Sequence, residues 1–283
     1  MTSAEWLEHQ YRPWKTENAA IDVEAIVASW AQKSASYLER ADIVRDIPYG
    51  SLAGERLDIL KPSNEDTPVL VFIHGGYWQS LDKDDYAFSL EPLVSAGALV
   101  ASVNYTLCPD VNLDVIVDQV RAACAWVWRH ASDYGGDSGR LHVTGHSAGG
   151  HLTAMLAATN WPEFQNDLPR DMIKSAIPVS GLFDLEPLRQ SSVNDCMHMD
   201  AEMARRNSPL FLTPATAMPI SVVVGGQETE EFRRQSRDFA NAWQGTAGSM
   251  DYIETPGHHF AIIDAMTGSN CPLKATLLGH LGI

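Results

Sequence analysis

The stretch Leu141-His142-Val143-Thr144-Gly145-His146-Ser147-Ala148-Gly149-Gly150-His151-Leu152-Thr153-Ala154-Met155-Leu156-Ala157-Ala158 decides the fold. Its first four residues read as a short buried strand. The run from Gly150 to Ala158 reads as a helix. Between them stands G-x-S-x-G, and strand, G-x-S-x-G, helix is the sequence form of a nucleophile elbow. So tight a turn predicts a strained serine backbone with its hydroxyl presented at the end of a sheet. Glycine is expected at 145 and 149 because a Cβ there would strike the neighbouring strand or helix. Ser147 also begins a helix, where partial positive charge favours a developing oxyanion.

A serine nucleophile needs a base, and the base needs an orienting carboxylate. Behind an elbow of this kind the chain order is serine, acid, histidine. The last expected strand runs into Thr255-Pro256-Gly257-His258-His259-Phe260. His259 is preferred to His258 because it directly precedes Phe260, which can anchor the next helix and fix the ring. For the acid, Val222-Val223-Val224-Gly225-Gly226-Gln227-Glu228 sets Glu228 just past a strand. Glu230 and Glu231 are alternatives, but they open the next helix, whose N-terminus they would stabilise. Asp184, after the strand ending at Val179-Ser180-Gly181, is a more distant alternative. Upstream, Val71-Phe72-Ile73-His74-Gly75-Gly76-Tyr77-Trp78 is a strand followed by a His-Gly-Gly loop, the place for an oxyanion hole. The N–H groups of Gly76 and Tyr77, with that of Ala148, are the expected donors. His74 is read as structural.

The rest of the chain fits around these motifs. Residues 1–38 form an N-terminal helical segment with Trp6, Trp14 and Trp30, and Val23 to Leu38 as an amphipathic helix. That segment either packs on the body or lies partly over the mouth of the site. Asp42 to Tyr49 and Arg56 to Leu60 read as two edge strands. Pro68 to Ile73 is a continuous apolar run, expected as a central strand buried on both faces, and Ala98 to Val103 is another. Asp114 to His130 is helical by its period. Further strands are expected at Arg140–Thr144, Ala176–Val179, Ile220–Val224 and Met250–Glu254. Residues 185–212 lack strand character and are expected as a helical cap insertion. Helices are expected at Glu230–Trp243 and over much of 260–283. Strands alternating with helices predict a mostly parallel central sheet with helices on both faces. Ligands then sit beyond the C-terminal strand ends.

The chain has 283 residues and a formal net charge of −16. That length suits a single α/β domain spanning 1–283. So acidic a protein is a poor partner for nucleic acid or an anionic membrane. Four cysteines at 108, 124, 196 and 271 show no metal-ligand spacing and read as reduced thiols of a cytoplasmic protein. Neither a signal peptide nor a membrane span is expected. A small-molecule substrate is the expected partner, and a homodimer is left open.

His-Gly-Gly-Tyr-Trp at 74–78, Gly-His-Ser-Ala-Gly-Gly-His at 145–151, Arg56-Leu57-Asp58-Ile59-Leu60-Lys61-Pro62, Glu231-Phe232-Arg233-Arg234-Gln235-Ser236 and His259-Phe260 together carry a resemblance. The chain resembles the α/β-hydrolase superfamily on its hormone-sensitive-lipase-like side. Within that group it is most similar to kynurenine formamidases (arylformamidases), over nearly its whole length. Glu228 stands where that family often has Asp. The resemblance implies a serine hydrolase of tryptophan catabolism that cleaves the formyl amide of N-formylkynurenine or a related aryl formamide. The products would be formate and the aryl amine, made by a Ser147, His259, Glu228 triad without metal or organic cofactor. A carboxylesterase for small acyl esters, using the same triad, is the alternative. A silent hydrolase-fold receptor is the reading from another class, but such proteins usually lose the serine or histidine, and both are present here. Tyr77 and Trp78, in place of a third glycine, would crowd the acyl site and offer aromatic surface to the substrate. For Trp78 the competing expectation is burial in the core.

Overall fold

The computed structural model describes residues 3–12, 15–16 and 19–283. Trp14 lies outside the described residues. The chain opens with α1 (Ala4–Gln10), whose first turn is capped by Ser3 Oγ accepting from the Trp6 N–H at 3.1 Å. Two-residue strands β1 (Lys15–Thr16) and β2 (Ala19–Ala20) pair antiparallel. Helix α2 (Val23–Leu38) starts at Asp22, whose side chain accepts from the Ala25 N–H. Then come β3 (Ile43–Pro48), β4 (Arg56–Leu60), β5 (Thr67–Ile73), α3 (Lys83–Ala96), β6 (Leu99–Val103), α4 (Leu113–His130) and β7 (Gly136–His146). Helices α5 (Ala148–Ala157) and α6 (Trp161–Phe164) lead to β8 (Ile173–Val179). Three short helices follow, α7 (Leu185–Arg189), α8 (Asn194–Met197) and α9 (Ala201–Arg206), then β9 (Pro219–Gly225). The chain closes with α10 (Glu230–Trp243), β10 (Ser249–Thr255), α11 (Ala261–Asp264) and α12 (Pro272–Leu281).

The main sheet has eight strands in the order β10-β9-β8-β7-β5-β6-β4-β3. From β10 to β6 every neighbour pair is parallel; β4 and β3 are antiparallel additions. Strand β5 shows why its sequence is an unbroken apolar run. Val69, Val71 and Ile73 join one core cluster with residues of α4, α5 and α10, while Leu70 and Phe72 join another with residues of α2, α3 and α12. Helices cover both faces, so both sets of alternating side chains must be apolar. The fold is the α/β-hydrolase fold.

Two readings need correction. Arg56–Leu60 is not an edge strand: β4 lies between β3 and β6, and β3 alone forms that edge. The nucleophile strand begins at Gly136, four residues before the expected Arg140, because Thr67 and Pro68 extend the pairing with β5. Helix α3 has no counterpart among the elements the sequence pattern predicts. Its Asp82–Asp85 capping box and left-handed Gly97 mark both ends, but Tyr86, Ala87, Phe88, Ser89, Leu90 and Leu93 are all buried. Buried residues on several faces leave no clean 3.6-residue stripe to read.

The C-terminal ends of the parallel strands gather the chemistry. His74-Gly75-Gly76 follows β5, Ser147 follows β7, Ser180 follows β8, Glu228 lies three residues past β9, and His259 four residues past β10.

Candidate active site

The turn between β7 and α5 holds Ser147 at φ 59° and ψ −117°. A non-glycine residue there stores strain of about 1–3 kcal/mol, which the surroundings must hold in place. They do so from both sides. The Ser147 N–H donates to the Val179 carbonyl at 2.8 Å, and its carbonyl accepts from the His151 N–H at 3.1 Å. A Cβ on Gly149 would lie 2.0 Å from the Ile73 carbonyl oxygen, which is why the pentapeptide ends in glycine.

Glu228 and His259 meet in the interior. The His259 Nδ1–H donates to Glu228 Oε2 at 2.7 Å, with both side chains almost fully buried. This fixes the tautomer and leaves Nε2 as the basic nitrogen. The other carboxylate oxygen, Oε1, accepts from Ser180 Oγ at 2.5 Å and from the Gly225 N–H at 2.8 Å. Three donors thus satisfy a carboxylate out of water. Ser180 is a residue the sequence reading missed. It sits at φ 49° on the end of β8, and no motif announces it.

The rival residues have other occupations. Asp184 caps α7 by accepting from the Glu186 N–H. Glu230 is exposed, and Glu231 accepts from the Tyr11 hydroxyl and from Arg234. His258 Nδ1 accepts from the N–H groups of Phe260 and Ala261, both at 3.3 Å, and so caps the start of α11. The Phe260 ring packs edge-on against His259, with ring centroids 5.3 Å apart.

In the loop after β5, Gly76, Tyr77 and Trp78 all have positive φ, at 106°, 50° and 59°. The N–H groups of Gly76, Tyr77 and Ala148 donate to no acceptor among the described residues. His74 is fully buried and stacks on Tyr105 at 4.3 Å. The reading of Trp78 as a substrate-binding residue is corrected. Its side chain is fully buried, packs edge-on against His151 at 5.0 Å, and does not line the pocket. Turning the backbone to set free N–H groups at 76 and 77 drives the next side chain inward.

Tyr77 does line the pocket, a cavity of about 120 Å³ bounded also by Val23, Val27, Leu81, Ser147 and His259. The N-terminal segment is not helical throughout, since β1 and β2 pair between its two helices; α2 packs on α3 and contributes Val23 and Val27 to the pocket lining. No hydrogen bond joins Ser147 Oγ to the His259 ring among the described residues. Such bonds are often loose before substrate arrives. The described residues include no cluster of His, Cys, Asp or Glu suited to a metal ion, and no helix long and apolar enough to cross a membrane.

Comparison with known proteins gives this geometry a family. The BD-FAE family model matches residues 57–242. Kynurenine formamidase of Danio rerio is 36% identical over 99% of this chain and 97% of its own. Esterase LipQ of Mycobacterium tuberculosis is 30% identical over 84% of this chain, but only 62% of its own length. A crystal structure from Silicibacter sp. TM1040, provisionally described as a thioesterase, superposes with a TM-score of 0.82 at 26% identity, covering 96% of this chain and 98% of that one. The formamidase match runs nearly end to end through both chains, past the elbow, the acid and the histidine loop. The chain is a hydrolase and belongs to the kynurenine formamidase family of α/β-hydrolases.

Proposed function

We propose that the protein hydrolyses aryl formamides, with N-formylkynurenine as the leading substrate, in the cytoplasm. Ser147 Oγ attacks the formyl carbon while His259 Nε2 takes its proton. The oxygen that gains charge is held by the N–H groups of Gly76, Tyr77 and Ala148, each worth about 3 kcal/mol in the transition state. His259 then gives the proton to the aryl nitrogen as the C–N bond breaks. A water, deprotonated by His259 Nε2, attacks the formyl-serine ester, and that proton passes to Ser147 Oγ as the ester bond breaks and formate leaves. Glu228 supports the imidazolium through both steps. The four free thiols accord with a reducing compartment.

One observation carries the formyl reading. Tyr77, part of the oxyanion loop, walls a pocket of about 120 Å³, and its hydroxyl is tied to the Tyr11 carbonyl at 2.6 Å. An acyl group of one carbon needs no more room than such a wall leaves. The esterase reading is favoured by the pocket's apolar lining of Val23, Val27, Leu81 and Phe260, which suits short alkyl chains. The deciding experiment measures kcat/KM for N-formylkynurenine beside p-nitrophenyl acetate and butyrate on one preparation. Preference for the formamide is expected. Faster turnover of the butyrate ester would hand the site to the esterase reading.

A further inference from the structure

His146 occupies the variable second position of the G-x-S-x-G pentapeptide and is buried, 1% exposed. Both of its ring nitrogens are engaged. One end meets the Tyr86 hydroxyl, 3.1 Å from Nδ1; the other meets the backbone carbonyl of His259, 2.9 Å from Nε2. A carbonyl can only accept, so Nε2 carries the proton and Nδ1 accepts from Tyr86. The His146 ring also packs on the His259 ring, with centroids 4.5 Å apart. Burial holds the His146 pKa well below the usual histidine range, and the neighbouring His259 presses it the same way. Gly75 of the oxyanion loop passes close by: a Cβ there would lie 2.8 Å from the Tyr86 hydroxyl.

We infer that His146 is a positioning residue for the base, and that Tyr86 acts through it by fixing its tautomer. The inference rests on the proposed triad. His259 is oriented at two points: Glu228 holds its ring, and His146 holds its backbone. The second hold matters because, among the described residues, no backbone N–H donates to the His259 carbonyl. Without the Tyr86 O–H, the His146 proton is free to move to Nδ1. Nε2 would then set a lone pair against the His259 carbonyl oxygen, and the hold would become a repulsion.

The test uses kcat and KM of His146→Leu, His146→Gln, Tyr86→Phe and the double variant His146→Leu/Tyr86→Phe. A base moved by a fraction of an ångström to an ångström costs up to about 10²-fold. His146→Leu should therefore lower kcat by roughly 30- to 100-fold, with KM within about threefold, on that same geometric ground. Glutamine can place an N–H near the Nε2 position, so His146→Gln should recover most of the loss. Tyr86→Phe should lower kcat by about tenfold in the wild type and by less than about twofold beside His146→Leu, because non-additivity marks residues that act as a unit. Should the leucine variant fail to fold by thermal melting, Tyr86→Phe is read in the His146→Gln background. The same collapse of its effect is expected there, since the glutamine offers no Nδ1 to the tyrosine. A loss confined to KM, or an undiminished effect of Tyr86→Phe in the changed background, overturns the inference. An active His259→Ala would instead overturn the triad. Dead His259→Ala beside a His146→Leu of normal kcat would overturn this inference alone.

Discussion

Tyr77 donates its hydroxyl to the backbone carbonyl of Tyr11 at 2.6 Å, joining residues 66 apart in the chain. The bond ties the oxyanion loop to the end of α1. Tyr11 is itself held, since its hydroxyl donates to Glu231 at 3.0 Å and accepts from Gln235 at 2.8 Å. Thr229 Oγ1, next to the proposed acid, donates to the Gln10 carbonyl at 2.7 Å. The N-terminal segment therefore buttresses two of the loops that build the site.

The acyl site should be narrow because that buttress holds Tyr77 in place. In an acyl-length series on one aryl amine, each methylene beyond what the cavity beside Tyr77 holds should cost about 1–3 kcal/mol. Tyr77→Ala should raise the ratio of butyryl to formyl kcat/KM. Equal rates for formyl and hexanoyl substrates in the wild type would mean the wall is not there.

Ser147→Ala should abolish turnover and leave the fold intact. Loss of a triad member costs about 10⁴–10⁶ in rate. The backbone at 147 is strained whatever the side chain, so the melting temperature should change little. A fluorophosphonate probe should label the wild type and not the variant; labelling of both would put the nucleophile elsewhere.

Glu228→Gln should lower kcat strongly and KM little, since the carboxylate supports charge that appears on His259 only in the transition state. Ser180→Ala removes one of three donors to the same carboxylate and should give a smaller loss in the same parameter. Glu230→Gln and Asp184→Asn should be near wild type. A larger loss at either of those two would relocate the acid.

His259→Ala should match Ser147→Ala in kcat, whereas His258→Ala removes only a helix cap. A lost cap costs about 1 kcal/mol of stability. Reversal of the pair, with the 258 variant dead and the 259 variant active, would contradict the geometry.

Stability should fall on mild acidification. Burial pushes His142 and His151 down to about 4, from an ordinary value of 6.5. For His142 the nearby His280, Arg140 and Lys174 add to it; for His151 a bond to the Asn207 carbonyl opposes it. Between about pH 6.5 and 4 the unfolded chain binds protons that the folded rings refuse, so unfolding becomes easier as pH drops. Each pKa unit of separation is worth about 1.4 kcal/mol. Melting temperature should decline from pH 7 to 4.5, and His142→Asn should flatten part of that slope. A variant as steep as the wild type would show that His142 is not responsible.

The elbow, the His-Gly-Gly loop and the Glu228–His259 pair were legible because local backbone demands wrote them into short, ordered motifs. Ser180 was not, because a donor to a carboxylate 48 residues away leaves no local trace. His146 stands at a position the motif leaves free, so only the tertiary contact with His259 singles it out. Trp78 was ambiguous for a related reason: aromatic residues beside a site and in a core look alike until the φ of 76–78 is known. Helix α3 escaped because it is buried on several faces, and the period that normally betrays a helix needs a wet side.

The bond from Tyr77 to Tyr11 also bears on how the enzyme comes to exist. Residues 4–11 are made early, yet their partners at 77, 229, 231 and 235 are made later, and the most distant of them lies 224 positions along the chain. Synthesis proceeds from the N-terminus, so α1 must wait undocked until α10 has emerged and packed on β9. Closing so long a loop is slow and entropically costly. Activity should thus be among the last properties a nascent chain acquires, appearing after the sheet has formed and only when α1 has docked against α10.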